Sequence, residues 1–244
     1  MSRARAGLLL ALAFLHLSLG AGLMLVVAAA TLFLARERYG RLASWLSRGL
    51  LRLWGVRVVV EGEPLPTRQV VYVSNHTSAL DVFVICALGL PRTRYFLSGG
   101  LRAVVPLGVI GALIGVFWTA PQSRPARRVA LFQRAARTLA RTGESVFLTP
   151  EGERVRTGRI GHFNKGGVHL AIALRAPLVP LFLDTPDEVD PGMGLVTGAG
   201  VVRVRVGAPI ETSAWTVDEL ERRRDELRGV YVAWNDARRV ASRV

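Results

Sequence analysis

The sequence predicts a single α/β domain with a central, mostly parallel or mixed sheet flanked by helices and preceded by an N-terminal hydrophobic membrane anchor. Three observations carry this reading. The chain opens on a long uncharged apolar run, and from residue 56 short β-branched runs alternate with helical stretches. Its 244 residues suffice for one good core and little more. The division that follows is 1–35 as anchor, 36–55 as an amphipathic interfacial helix, 56–212 as the main domain and 213–244 as a C-terminal helix.

In the anchor, no charged residue occurs between Arg5 and Arg36. As one helix, the apolar run would extend roughly 45 Å, longer than a hydrocarbon core of about 30 Å. It reads either as one tilted span or as a re-entrant pair of shorter helices broken near Gly20 and Gly22. The run also far exceeds the apolar stretch of a cleaved signal peptide, roughly 7–15 residues. Arg3 and Arg5 flank one side, and Arg36, Arg38, Arg41, Arg48 and Arg52 the other. The heavier cluster predicts a cytoplasmic main domain, with a bacterial inner membrane as the expected location. Residues 39–54 carry Leu42, Trp45, Leu46, Leu50, Leu53 and Trp54 among arginines. That pattern fits a helix lying at the membrane interface, or a packing helix with a solvated basic face.

In the main domain, strands are expected at 56–60, 70–73, 95–97, 116–118, 146–148, 178–183 and 201–206. Helices are expected at 79–88, 125–140 and 166–174; Pro125 suits a helix start and Gly143 a helix end. Residues 103–118 are uncharged but broken by Pro106, Gly108, Gly111 and Gly115, and read as buried core. Residues 217–239 read as a charged helix opened by the Thr216-x-x-Glu219 capping pattern.

The formal net charge of +14 points to anionic partners such as a phospholipid surface or an acidic carrier. Nucleic acid is excluded because the positive charge flanks the anchor and no aromatic-basic recognition motif occurs. Cys86, the single cysteine, rules out an internal disulfide and a cysteine-based metal cluster, and its apolar neighbours make it a core residue. Lys165 is the single lysine.

The chemistry concentrates at strand ends. The strand at 70–73 runs into Ser74-Asn75-His76, and Ser78-x-x-Asp81 resembles a capping box that puts Asp81 in the first helical turn. From there a carboxylate can reach one nitrogen of His76, fix its tautomer and support the imidazolium formed at the other. A second strand ends in Thr149-Pro150-Glu151-Gly152-Glu153-Arg154. His162-Phe163-Asn164-Lys165-Gly166-Gly167 and Val179-Pro180 follow. On these residues the sequence resembles the glycerolipid acyltransferase family of the lysophosphatidic acid acyltransferase type. Asn75-His76-x4-Asp81 is similar to its first motif and Pro150-Glu151-Gly152-x-Arg154 to its Pro-Glu-Gly-Thr-Arg motif. Phe163-x-x-Gly166 and Val179-Pro180 match later ones, Gly115-x-Phe117 stands where the second begins, and Pro106 suits the approach to it. The resemblance covers about 56–183.

It implies a membrane-bound acyltransferase that moves a fatty acyl group onto the hydroxyl of a lysolipid. His76 would be the general base and Asp81 its orienting partner, while Asn75, Glu151, Gly152, Arg154, Lys165 and Gly166 would form the substrate site. It implies no metal and no cofactor, only acyl-CoA or an acidic acyl carrier protein as co-substrate. The 103–118 run could line an acyl-chain groove or touch the bilayer. The sequence departs from the family in two basic elements: Phe117 is followed by Trp118-Thr119-Ala120-Pro121, and Ser98-Gly99-Gly100 stands where lysine is expected. Glu153 also replaces the usual threonine. Arg124, Arg127 and Arg128 are candidate phosphate contacts in place of the lost cations. The departures keep open a non-phosphate acceptor such as lyso-ornithine lipid, and a non-catalytic membrane lipid-binding homologue.

Overall fold

The computed structural model describes residues 3–121, 123–190 and 197–241. Its seven strands are β1 (Val56–Gly62), β2 (Val71–Ser74), β3 (Thr93–Ser98), β4 (Phe117–Thr119), β5 (Ser145–Leu148), β6 (Leu178–Asp184) and β7 (Gly200–Val206). They form one sheet in the order β1-β7-β6-β2-β5-β3-β4. All pairings are parallel except β6 with β7, so the sheet is mixed. β7 reverses because no crossover helix stands between it and β6 among the described residues; a strand returning without one pairs antiparallel. β2 sits between β6 and β5, all three parallel, so the chain leaves these strands side by side at one edge of the sheet. That carboxyl edge is where open α/β sheets place ligands.

Alternate strand residues point to opposite faces, and each face has its own core. Tyr72, Phe147 and Val179 face α1 (Arg3–Ala30), α2 (Arg36–Leu53), α3 (Asp81–Leu88) and α4 (Val105–Ile114). Val71, Val73, Val146 and Leu148 face α5 (Pro125–Thr142), α6 (Gly166–Leu174) and α7 (Leu220–Ala241).

The apolar N-terminal run is a single helix, continuous through Gly20 and Gly22. A tight turn then reverses the chain into α2. Antiparallel packing follows from the contacts: Thr31 Oγ1 lies 2.6 Å from the Tyr39 hydroxyl near the turn, and His16 Nε2 lies 2.9 Å from the Leu46 carbonyl farther along. Gly49 permits the close approach, since a Cβ there would lie 2.8 Å from the His16 ring. The apolar side of α2 is turned into the protein: Tyr39, Ala43, Leu46, Leu50 and Leu51 are buried, and Trp54 meets Phe83 edge-on at 5.8 Å. Trp45 alone among the α2 tryptophan and leucine side chains is strongly exposed, at 59%. The amphipathic pattern is thus a packing face. The bare apolar surface belongs to α1 (Leu8, Phe14, Leu19 and Val26) and to Leu32, Phe33 and Leu34 at the hairpin tip.

The 103–118 run contains a helix, α4, that its glycines and proline obscured. Pro106 lies in the first turn, where it is tolerated, and Gly115 ends the helix with φ +76°. Gly111 lets Trp118 lie against the helix, since a Cβ would come within 2.5 Å of its ring. At the opposite end of the sheet from the 74–76 turn, Arg94 donates to Glu144 at 2.7 Å, and Arg36 of the hairpin donates to the same carboxylate at 3.0 Å. Arg94 and Glu144 are nearly buried, with side chains 10% and 12% exposed. Replacing Glu144 by Ala strands a buried guanidinium, and chemical denaturation is expected to show a loss of about 3 kcal/mol. A change below roughly 1 kcal/mol would mean that solvent already screens the cluster.

Candidate active site

β2 ends at Ser74, and the next residues turn across the carboxyl edge of the sheet. Asn75 fixes the turn to β6: its side-chain amide donates to the Leu183 carbonyl at 2.9 Å and accepts from the Leu183 N–H at 2.8 Å. This pair continues the β2–β6 ladder past the last strand residue. His76 follows, its side chain 26% exposed, with Nδ1 2.8 Å from Asp81 Oδ2. The same oxygen accepts the backbone N–H groups of Thr77 at 2.9 Å and Ser78 at 3.0 Å. Asp81 is 2% exposed. A carboxylate gathering three donors is locked in one rotamer; as an acceptor it requires hydrogen on Nδ1, which leaves Nε2 as the free basic nitrogen.

The helix begins at Asp81 itself, two residues later than the sequence predicts. Only half of the expected capping box forms. Asp81 reaches back to the Ser78 N–H, but the Ser78 hydroxyl accepts from Leu80 N–H at 3.2 Å and donates to Asp190 at 2.8 Å.

Glu151 lies under this turn, not on its surface. It is 4% exposed; Oε2 accepts the backbone N–H of His76 at 2.6 Å and Oε1 that of Gly161 at 2.8 Å. Burial pushes its carboxyl above the ordinary carboxylate range, and the two N–H groups pull it part of the way back. The contact is reciprocated along the loop, because Val155 N–H donates to the His76 carbonyl at 2.8 Å. Arg154, exposed, is therefore one residue from a backbone tie to His76. Asn164 closes the turn from the far side, its side chain donating to the carbonyls of Pro150 at 2.9 Å and Glu151 at 3.1 Å.

The C-terminal helix supports the same loop. The Arg228 guanidinium donates to the carbonyls of Gly161 at 2.7 Å and Ile160 at 2.8 Å, and the Tyr231 hydroxyl to that of Val73 at 2.7 Å. None of these contacts has a local sequence signal, because each joins segments far apart in the chain.

The expected site residues divide into three groups. Asn75, His76, Asp81 and Glu151 meet at the 74–76 turn, with Arg154 close by. Gly152, Lys165, Gly166 and Arg128 line a groove of about 560 Å³ between α5 and α6, on the other side of the Pro150 turn. Its floor is apolar, formed by Phe132, Leu148 and Leu170 among others, and Lys165 pairs with Glu221 at its rim. Arg127, exposed on α5, and Arg124, exposed just before it, line neither. Among the described residues no group of three or more His, Cys, Asp or Glu side chains could hold a metal ion.

A family model described as Acyltransferase matches residues 57–184, more than half of the chain. A 1-acyl-sn-glycerol-3-phosphate acyltransferase of Limnanthes douglasii is 28% identical over 220 residues, covering 81% of this chain and 70% of its own. The alpha form from Mus musculus is 28% identical over 179 residues, covering 72% and 62%. In fold, the chain is similar to the crystal structure of the 1-acyl-sn-glycerophosphate (LPA) acyltransferase PlsC from Thermotoga maritima. The TM-score is 0.76, with 20% identity and 98% of each chain covered. The chain belongs to the acyltransferase family, as its motifs and their order imply.

Proposed function

We propose that this acyltransferase moves a fatty acyl group from an acyl thioester to the free hydroxyl of a lysolipid of the 1-acylglycerol-3-phosphate type, at a membrane surface. His76 is the general base and Asp81 its orienting partner. Nε2 takes the hydroxyl proton as the lipid oxygen attacks the thioester carbonyl. The tetrahedral intermediate then collapses, the C–S bond breaks, and the leaving thiolate takes the proton back from His76. Ester and thiol are the products, and no acyl group is ever carried by the enzyme. Asp81 stabilises the transient imidazolium through Nδ1–H.

The observation that carries this reading is the 2.8 Å His76–Asp81 contact, with Asp81 held by two further backbone donors. Asn75 and Glu151 act on the reaction by holding the turn, since both ends of each side chain bond to backbone. Arg154 is assigned to the acceptor phosphate on its motif position, next to Val155, whose N–H bonds to the His76 carbonyl. The membrane assignment rests on the bare apolar side of α1. Its Ala4–Ala30 stretch is the one described helix long and apolar enough to cross a bilayer. The arginines flanking that helix favour a cytoplasmic main domain, and a bacterial inner membrane is the proposed location.

The acceptor is the least constrained part, because two basic elements of the family pattern are missing. Membranes containing the full chain, incubated with labelled acyl donor and a panel of lysolipids, test it. Lysophosphatidate is expected to be acylated fastest. Transfer confined to lyso-ornithine lipid would replace the phosphate acceptor, and transfer to no lysolipid would favour a lipid-binding homologue without activity.

A further inference from the structure

Helix α7 lies outside residues 57–184, the span shared with the family, yet one of its faces bears on the turn that carries His76. Arg228, Tyr231 and Asn235 stand at i, i+3 and i+7 and share that face. Tyr231, fully buried, donates to Val73 in the strand that leads to His76, and Asn235 donates to the Gly158 carbonyl at 3.1 Å. Arg228 donates through Nε to the Gly161 carbonyl and through Nη2 to that of Ile160. Elsewhere on this helix Arg222, Arg223, Arg224 and Arg238 pair with carboxylates. Arg228 binds backbone instead. A planar fork on two successive carbonyls fixes the tilt of the loop as well as its position.

The Ile160–Gly161 peptide is engaged on both sides. A trans peptide points its C=O and its N–H in opposite directions. Here the C=O accepts from Arg228, and the N–H donates to Glu151 Oε1 at 2.8 Å. Glu151 is buried, and among the described residues no lysine or arginine pairs with it directly. Arg228 is thus a cation one peptide away from that carboxylate. A guanidinium drawing on the carbonyl oxygen makes the N–H opposite a stronger donor, because hydrogen bonds in a chain polarise one another. The second carboxylate oxygen accepts the His76 N–H at 2.6 Å. The line of contacts runs from guanidinium to peptide to carboxylate to the backbone of His76. Tyr231 also steadies this region, but it sits in the core against Phe163, so its loss reports on folding. Arg228 is half-buried, and changing it leaves the core closed.

We infer that Arg228 is a positioning residue for acyl transfer: by clamping the Ile160–Gly161 peptide it fixes Glu151, and through Glu151 the backbone N–H of His76. This rests on the proposed role of His76 and adds a residue to it. The test uses the full chain with R228M, R228K, E151Q and R228M/E151Q. Methionine keeps an apolar stem and removes every donor. In R228M, kcat with a lysolipid acceptor is expected to fall about tenfold or more with KM little changed, since a small displacement of the base acts on the transition state. R228K is expected to lose roughly threefold, because an ammonium lacks the fork that holds two carbonyls together. Changes along one line of contacts do not add, so the double variant should be about as slow as E151Q alone. Amide hydrogen exchange gives a readout that needs no turnover. R228M should speed exchange at His76 and Gly161 at least about tenfold while leaving α4 and β7 as they are. Losses that multiply in the double variant, a raised KM at unchanged kcat, or an unchanged kcat in either Arg228 variant would overturn the inference. So would unchanged exchange at His76, or exchange that rises equally throughout the chain. Should R228M fail to fold, R228K goes through the same cycle with E151Q and is read by the same criteria. A wild type that acylates no lysolipid counts against the acyltransferase reading alone, and exchange at His76 still decides the role of Arg228.

Discussion

Replacing His76 by Ala is expected to lower kcat for acyl transfer about 10²–10⁴-fold, the usual contribution of a positioned general base. Neither of the two carboxylates bonded to His76 is placed to act as the base instead. Asp81 is buried with Oδ2 bonded to His76, Thr77 and Ser78, and Glu151 lies beneath the backbone with both oxygens engaged. Because Asp81 keeps the Thr77 and Ser78 N–H donors in the variant, the thermal unfolding midpoint should fall only modestly. Asp81→Asn is expected to fall between the two. An amide oxygen can take the place of Oδ2 for its three donors, but it carries no charge to stabilise the imidazolium. Activity retained above roughly a tenth of wild type in His76→Ala would sink the mechanism, since proton transfer would then be running through another group.

His76 and Asp81 are legible in the sequence because their geometry is local. Five residues, one turn and one helix start suffice to bring an imidazole and a carboxylate together. The seven strands are legible for a similar reason: β-branched runs bounded by turn residues mark themselves. What depends on distant partners is not legible. The direction of β7 follows from its connection to β6, which no run of residues encodes. α4 is hidden because Gly108 and Gly111, which weaken any helix pattern, are there for close approach: a Cβ would meet the Arg102 carbonyl at the first and the Trp118 ring at the second, each at 2.5 Å. In α2 the amphipathic pattern correctly marks an apolar side, but periodicity says only that something covers it. The cover in the structure is α1, α3 and α4. The support given by α7 is equally silent, since Arg228 and Tyr231 look like ordinary members of a charged helix until their carbonyl partners are seen.

Glu151 separates the two ways of reading the Pro150 turn, and Glu151→Gln is the substitution that tests it. Read from the motif alone, this carboxylate belongs to the acceptor site, and its loss would raise KM. In the structure it joins two backbone N–H groups, those of His76 at 2.6 Å and Gly161 at 2.8 Å. A carboxylate accepts at both oxygens. A glutamine accepts at one and must point its NH₂ at the other N–H, whichever way the amide is turned. One buried donor is then left facing another, at a cost of about 1–3 kcal/mol in stability. If the strained contact is the one to His76, the turn shifts, and a displacement near 1 Å at a catalytic group lowers the rate about 10²-fold. The expected result is therefore a lower unfolding midpoint and a kcat reduced by about that factor, with the acceptor KM little changed. Glu151→Asp keeps the charge but is one methylene too short to span both partners, so it should share the kcat defect. A raised KM at unchanged kcat in either variant would return Glu151 to the acceptor site and leave the His76 turn to be held by Asn75 and Val155.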